Sequence, residues 1–223
     1  KENVIIKKLL KIKRNPEKFA PRLGKLTGEV LLEGPNVVFT AISAGIKIKA
    51  ILITEKLLQN KKNHHVIDKI LKKGISINIM DMSLMKKLSE TVNPQGIIAI
   101  AKITAFTLQQ ISSKNILVVS DGIQDPANAG MIIRILDAVG INFFISLKGS
   151  VNPYNPKALR ASAGSHFHIN IVLSDKQEFI NWCKKYKIKI IFTSADGQVD
   201  IFEWNVKPPL ALIFGNEAIG ISE

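Results

Sequence analysis

Three apolar runs constrain the fold most: Ile116–Val119 and Leu210–Phe214, both unbroken, and Ile188–Phe192, interrupted only by Lys189. A strand with one wet face alternates polar and apolar residues. A run without a polar break belongs to a strand covered on both faces, as in a parallel sheet flanked by helices. Around these runs the pattern predicts strands at 116–120, 143–147, 167–172, 188–193 and 210–214, with helices at 128–139, 155–162 and 174–186. The first half carries the same alternation on a smaller scale. Strands are expected at 29–32, 48–53, 75–80 and 96–103, and helices at 3–14, 35–44, 66–73 and 83–89. Pro16, Pro21 and Gly24 break the segment between the first helix and the first strand. The fold class is α/β throughout.

Charge divides the chain more sharply than secondary structure does. Residues 1–110 hold 20 Lys and Arg against 8 Asp and Glu, a net of +12, whereas residues 111–223 hold 11 against 10. A basic half joined to a neutral half implies two jobs, and the basic half points to a polyanion such as nucleic acid. The stretch 104–114 is polar, with Gln109, Gln110, Ser112 and Ser113. The expected division is a basic RNA-binding domain at 1–105, a linker at 106–114 and a second domain at 115–223. Cys183 is the one cysteine, so no disulfide forms within the chain. That fits a reducing, cytoplasmic setting. No apolar run approaches the ~20 residues of a membrane-spanning helix, and Lys1-Glu2-Asn3-Val4 is not a signal peptide.

The chemistry-bearing features sit in turns that follow strands. Asp125-Pro126-Ala127-Asn128-Ala129-Gly130 opens a helix, with Asn128 as the expected N-cap. Arg134 interrupts the apolar face two turns in, near the end of the helix that attracts anions. Phe214-Gly215-Asn216-Glu217-Ala218-Ile219-Gly220 forms a second turn after the last apolar run. In open parallel sheets ligands bind beyond the carboxyl ends of strands. Four loops leave strands there, at 120–128, 149–165, 193–197 and 215–220.

Several chemistries are excluded. The spacing from Gly215 to Gly220 lacks the middle glycine of a dinucleotide fingerprint, and no Walker-type phosphate loop occurs. His166 and His168 alternate along an expected strand without acidic or cysteine partners at ligand spacing, so no metal site is expected. His64 and His65 lie in a lysine-rich surface segment, and no Ser/His/Asp arrangement stands out.

Taken together and in order, the motifs resemble a known family. Asn128-x-Gly130-x-x-x-Arg134 resembles the first motif of the SpoU (TrmH-like) ribose 2′-O-methyltransferases of the SPOUT superfamily. Phe214-Gly215-Asn216-Glu217-x-x-Gly220-Ile221-Ser222 resembles the second. The segment from Asn152 to Ser165 is similar to the helix and turn between them. Leu32-Glu33-Gly34 and Leu88-Ser89-Glu90-Thr91-x-x-Pro94-Gln95-Gly96 resemble the family's N-terminal substrate-binding domain, which is related to a ribosomal-protein fold.

The resemblance implies a C-terminal parallel-sheet α/β-knot domain, S-adenosylmethionine as methyl donor, a ribose in structured RNA as acceptor, and a homodimer. Ribosomal RNA is expected ahead of transfer RNA, because a separate basic domain precedes the catalytic one. By the same analogy Arg134 assists at the 2′-hydroxyl, with Asn128 and Glu217 orienting it and the RNA. Thr193, Ser194, Ala195, Gly215, Asn216, Ile219 and Gly220 frame the cofactor. Arg160, Ser162, Arg22 and Lys25 contact RNA. The family continues to a third, Ser-Leu-Asn-bearing motif that completes the knot, and this sequence does not contain it. Two expectations follow: the sequence is part of a longer enzyme, or it is a cut-short RNA-binding protein that has lost catalysis. A small-molecule nucleotide-binding protein is the remaining alternative.

Overall fold

A computed structural model describes residues 2–112, 116–194, 197, 199–200, 203, 205 and 207–222. The alternation read from the sequence is realised as two separate sheets. In the first, β1 (Thr27–Glu33), β2 (Lys47–Thr54), β3 (Ile77–Met80) and β4 (Ile97–Thr104) lie in the order β1-β4-β2-β3. β4 runs antiparallel to β1 and β2, and β3 runs parallel to β2. Side chains alternate between the faces of this sheet. Leu31, Leu52, Ile98 and Ile100 pack against α1 (Glu2–Arg14) and α6 (Met82–Leu88). Val30, Leu32, Ile51, Ile53 and Ala99 pack against α3 (Pro35–Ser43) and α5 (His64–Lys72). Two short helices, α2 (Pro16–Phe19) and α4 (Glu55–Leu58), complete this half.

The second sheet holds β5 (Ile116–Ser120), β6 (Phe143–Leu147), β7 (Asn170–Ser174), β8 (Lys189–Phe192) and β9 (Leu210–Phe214). Their order is β7-β6-β5-β9-β8, and every pair is parallel. The apolar runs behave as their lack of polar breaks requires. Val118 and Phe144 join the core under α7 (Pro126–Val139) and α8 (Pro156–Ala161). Leu117, Val119, Ile145 and Leu147 join the core under α9 (Lys176–Tyr186). Each fully buried aliphatic or aromatic side chain of this kind contributes about 1.5–3 kcal/mol relative to exposure.

One apolar cluster runs without interruption from α3 and the first sheet through Tyr154 and Leu159 to Phe144 and Ile171. Between the sheets, α8 packs directly on β1. Gly130 allows α8 to sit where it does. A Cβ there would lie 2.4 Å from the Ala158 carbonyl oxygen and 2.7 Å from the Ala161 Cβ. Backbone cannot yield to such contacts, so only glycine admits this approach of α7 to α8.

Several expectations are corrected. Asp125, not Asn128, caps α7: its carboxylate accepts the Ala127 N–H at 2.9 Å and Pro126 follows at the first helical position. Asp175, not Ser174, caps α9 by accepting the Glu178 N–H at 2.8 Å. Residues 165–167 form a helical turn, and β7 begins at Asn170. The alternation of His166 and His168 is therefore not that of a strand. His166 is buried edge-on to Tyr154, and burial pushes its pKa down to about 3. His168 meets Asp137 at 3.0 Å.

The stretch read as a polar linker is partly packed, although Gln109, Gln110 and Ser112 are exposed. Phe106 donates its N–H to the Ile171 carbonyl, and Leu108 and Ile111 are buried in the core under α9. Ser113 and Lys114 lie outside the described residues. Cys183 is buried, and burial pushes its thiol up to about 12, as suits a structural thiol. Among the described residues no helix is long and apolar enough to cross a membrane.

Candidate functional site

Strand order reverses at β5. The chain moves outward from β5 to β6 and β7, then returns on the other side as β8 and β9. The loops leaving β5 and β9 therefore open a crevice between neighbouring strand ends, where ligands of open α/β sheets bind. The turn at 120–128 and the bend at 215–220 occupy those two positions.

The bend is drawn in tightly. Asn216 donates its N–H to the Gly220 carbonyl at 2.7 Å, and Gly220 returns an N–H to the Asn216 carbonyl at 3.0 Å. The Asn216 side-chain oxygen accepts the N–H groups of Ala218 and Ile219. A Cβ on Gly215 would fall 2.4–2.5 Å from the backbone of Gly220 and Ile221, so position 215 excludes any side chain.

The bend is also fastened to the turn after β5. The Asn216 amide donates to the Gly122 carbonyl at 2.8 Å. Glu217 accepts from the Asn128 amide at 2.8 Å, the Gln124 N–H at 3.2 Å and the Asp125 N–H at 3.3 Å. The Asn128 amide first, then backbone N–H groups that include those of Gln124 and Asp125, holds the Glu217 carboxyl below the usual glutamate range. A depressed folded-state pKa strengthens the fold above the ordinary glutamate value, and that gain is lost as pH falls through the lowered one. Glu217→Gln should therefore unfold at a lower temperature than the parent at neutral pH. The gap should begin to narrow below about pH 4, the ordinary glutamate range, and close as pH falls through the lowered value. A gap that persists unchanged in acid, read by thermal unfolding at the two pH values, would contradict this role of the charge.

A cavity of about 1100 Å³ lies on the β8–β9 side of the crevice. Thr193, Ser194, Gly215, Asn216, Ile219 and Gly220 all line it, so six of the seven expected cofactor residues meet at one cavity. The seventh, Ala195, lies outside the described residues. Its floor is apolar, from Phe179, Ile190 and Ile213. Ile219 is 83% exposed and belongs to no core. Thr193 is fixed by its own hydroxyl, which donates to the Ile213 carbonyl at 3.0 Å.

Of the expected catalytic residues, Asn128 and Glu217 meet directly. Arg134 does not join them. It is exposed on α7 and makes no hydrogen bond or ion pair among the described residues. Its guanidinium is therefore not committed to Glu217 or any other carboxylate there. Next to Arg134 in sequence and one turn either side, Met131, Ile135 and Val139 leave an apolar stripe on the same helix, 56%, 55% and 62% exposed.

One expected RNA contact is corrected, and a second is found in an ion pair. Ser162 is fully buried, and its hydroxyl donates to the Leu159 carbonyl at 2.9 Å, so it cannot reach a ligand. Arg160 forms an ion pair with Glu90 at 3.0 Å and lies 3.8 Å from Glu33, with its side chain part-exposed. Arg22 and Lys25 are exposed together. They face each other across a tight turn whose backbones exchange hydrogen bonds of 2.9 and 2.8 Å.

Other residues of the site carry no expectation from the sequence. Asp121, buried at the end of β5, accepts the Ser222 N–H and hydroxyl and so anchors the far side of the bend. Ser150 accepts the Gly122 N–H at 2.8 Å, and the Gln124 amide reaches the Gly149 carbonyl at 2.8 Å. Lys157 pairs with Asp125 at 2.8 Å. That ammonium and the Ala127 N–H hold the Asp125 carboxyl below its usual range. Ser222 sits in the quoted second motif, and the others fall within the loops 120–128 and 149–165, which the sequence marked only as segments and without a role for these residues.

Fold and site together define an α/β protein whose ligand crevice opens at the reversal point of a parallel sheet, behind a separate basic domain. The comparisons narrow that class. Residues 115–223 match the model of the SpoU rRNA Methylase family, and residues 31–106 match that of RNA 2′-O ribose methyltransferase substrate binding. The chain belongs to the SpoU rRNA methylase family. It is 29% identical to the 23S rRNA (guanosine(2553)-2′-O)-methyltransferase RlmP of Bacillus subtilis, over 87% of this chain and 74% of that protein. It is 33% identical to the human mitochondrial rRNA methyltransferase 3, over 65% of this chain and 35% of that protein. The AdoMet-bound rRNA methyltransferase of Sinorhizobium meliloti superposes with a TM-score of 0.79 at 25% identity, covering 97% of this chain and 78% of that one.

Proposed function

We propose that this chain transfers the methyl group of S-adenosylmethionine to a ribose 2′-hydroxyl in structured RNA, with ribosomal RNA as the substrate ahead of transfer RNA. The observation that carries the reading is the fastening of the late bend onto the early turn through Glu217 and Asn128, beside a cavity that Glu217 and the rest of the bend line. The names of the relatives support the substrate class.

The cavity fits the donor. Its glycines leave backbone exposed for close approach, its floor is apolar, and Thr193, Ser194, Gly215, Asn216, Ile219 and Gly220 would hold the nucleoside. S-adenosylmethionine supplies a methyl group already activated on sulfur. Positioning is then the larger part of the protein's task. Asn128 and Glu217 hold the turn against the bend, which sets the distance between hydroxyl and donor. A guanidinium stays charged at any working pH, so Arg134 stabilises the negative charge that grows on the ribose oxygen as its proton leaves to solvent.

Residues 1–105 capture RNA through their positive charge, Arg22 and Lys25 included, and residues 115–223 carry the chemistry, with 106–114 between them. The protein works in the cytoplasm, as a homodimer. The exposed stripe Met131, Ile135 and Val139 supports the dimer, because apolar surface of this kind favours burial. The test is transfer of labelled methyl from S-adenosylmethionine to protein-free ribosomal or transfer RNA. A methylated 2′-oxygen cannot attack the adjacent phosphate, so the label should survive alkaline hydrolysis within dinucleotides. Label recovered on bases, or no transfer to either RNA, would overturn the reading.

A further inference from the structure

A second, smaller pocket lies where α8 meets the first sheet, away from the methyl-transfer crevice. Its volume is about 250 Å³, and Glu33, Asn36, Thr91, Asn93, Gln95 and Arg160 are among its lining residues. Asn36, Asn93 and Gln95 are exposed, and their side chains make no hydrogen bond among the described residues. Three unoccupied carboxamides thus converge on one space.

The charges there are already matched. Arg160 is paired with Glu90 and faces Glu33. Glu33 accepts hydrogen bonds from the Ser89 hydroxyl, from the Thr91 hydroxyl at 2.8 Å and from the Glu90 N–H at 3.1 Å. With two carboxylates against one guanidinium, the pocket does not attract a phosphate. What it offers is neutral donors and acceptors. Each carboxamide carries both, which is the pattern that pairs with the edge of a nucleobase. Proteins read RNA sequence chiefly from unpaired bases splayed out of the helix, by hydrogen bonds to those edges. The volume falls below the ~300–1,000 Å³ of pockets that enclose a drug-sized ligand, so it suits one ring system rather than a longer segment.

Position relates this pocket to the crevice. Lys157, at the start of α8, pairs with Asp125 in the turn that Glu217 grips, and Arg160 lines the pocket. The two are three residues apart on one helix, a rise of about 4.5 Å. We propose that this junction pocket holds one unpaired base of the RNA, from a nucleotide close in the strand to the one methylated. The proposal rests on the RNA reading above and adds to it a place where base identity is read.

The test uses the whole chain and short single-stranded homopolymers of A, C and U, beside a fully paired RNA duplex of the same length. Binding is followed by fluorescence anisotropy across a salt series. The double variant Asn93→Ala/Gln95→Ala removes exposed side chains without partners, so the fold should stay intact. Unchanged affinity for S-adenosylmethionine checks that. The expected result is about tenfold weaker binding of at least one single strand, with duplex affinity and the salt slope unchanged, because base contacts release no counterions. Equal binding by variant and parent, or an equal loss on duplex, overturns the pocket alone. A parent protein that binds none of these RNAs overturns the pocket and the proposed function together.

Discussion

Arg134→Ala should lower turnover by about 10²–10³-fold, the loss seen when one preorganised donor to a developing oxyanion is removed. Affinity for S-adenosylmethionine should stay within about twofold, because Arg134 does not line the cavity. The structure makes this variant unusually clean. Arg134 is exposed and makes no polar contact among the described residues, so its removal should change stability by no more than about 0.5 kcal/mol. Single-turnover kinetics and calorimetric titration of the cofactor separate the two effects. A variant that keeps most of its rate, or that loses cofactor affinity in step with rate, would remove Arg134 from the chemistry.

Gly215→Ala should act the other way, weakening cofactor binding before chemistry begins. The added Cβ would fall 2.4 Å from the Gly220 carbonyl carbon and 2.5 Å from the Ile221 nitrogen. Both are backbone, so the bend must open. Opening it breaks the paired Asn216–Gly220 hydrogen bonds and slackens the hold of Asn216 on Gly122 and of Glu217 on Asn128. Overpacking of this kind costs about 1–3 kcal/mol. Cofactor affinity should fall at least tenfold. Urea unfolding and calorimetry measure the two costs, and an alanine variant with the parent's affinity would show that the bend does not shape the cavity.

The second sheet was legible because its strands are covered on both faces. Unbroken apolar runs gave β5 and β9 their limits to the residue, and Phe143–Leu147 did the same for β6. The strand expected at 167–172 shows where that logic stops. Phe167, Ile169 and Ile171 are spaced two apart as in a strand, but Phe167 ends a helical turn, and Ile169 precedes β7. Both are held by the core through tertiary packing rather than by pleat.

The site was legible in its motifs and not in its contacts. Glu217, Asn128 and the bend come together as their positions after neighbouring strands require. Arg160 and Ser162 look alike in sequence to residues that touch RNA, yet one is paired with Glu90 and faces Glu33 in the far domain, and the other is buried at the C-terminal end of α8. Such partners are distant in sequence, and no local pattern announces them. Asp121 was silent for the same reason, since its meaning depends on Ser222 at the other end of the domain.

The place of β9 between β5 and β8 has a consequence for how the protein is born. Of the five described strands of this sheet, this interior one is synthesised after all the others. A nascent chain leaving the ribosome carries β5 with an open edge and β8 with no neighbour until Leu210–Phe214 emerges and slots between them. Pairings between segments so far apart in sequence are slow, and the exposed edges invite association with other chains meanwhile. On the proposed function, cofactor capture cannot begin before β9 is made, because the bend that follows β9 lines the cavity.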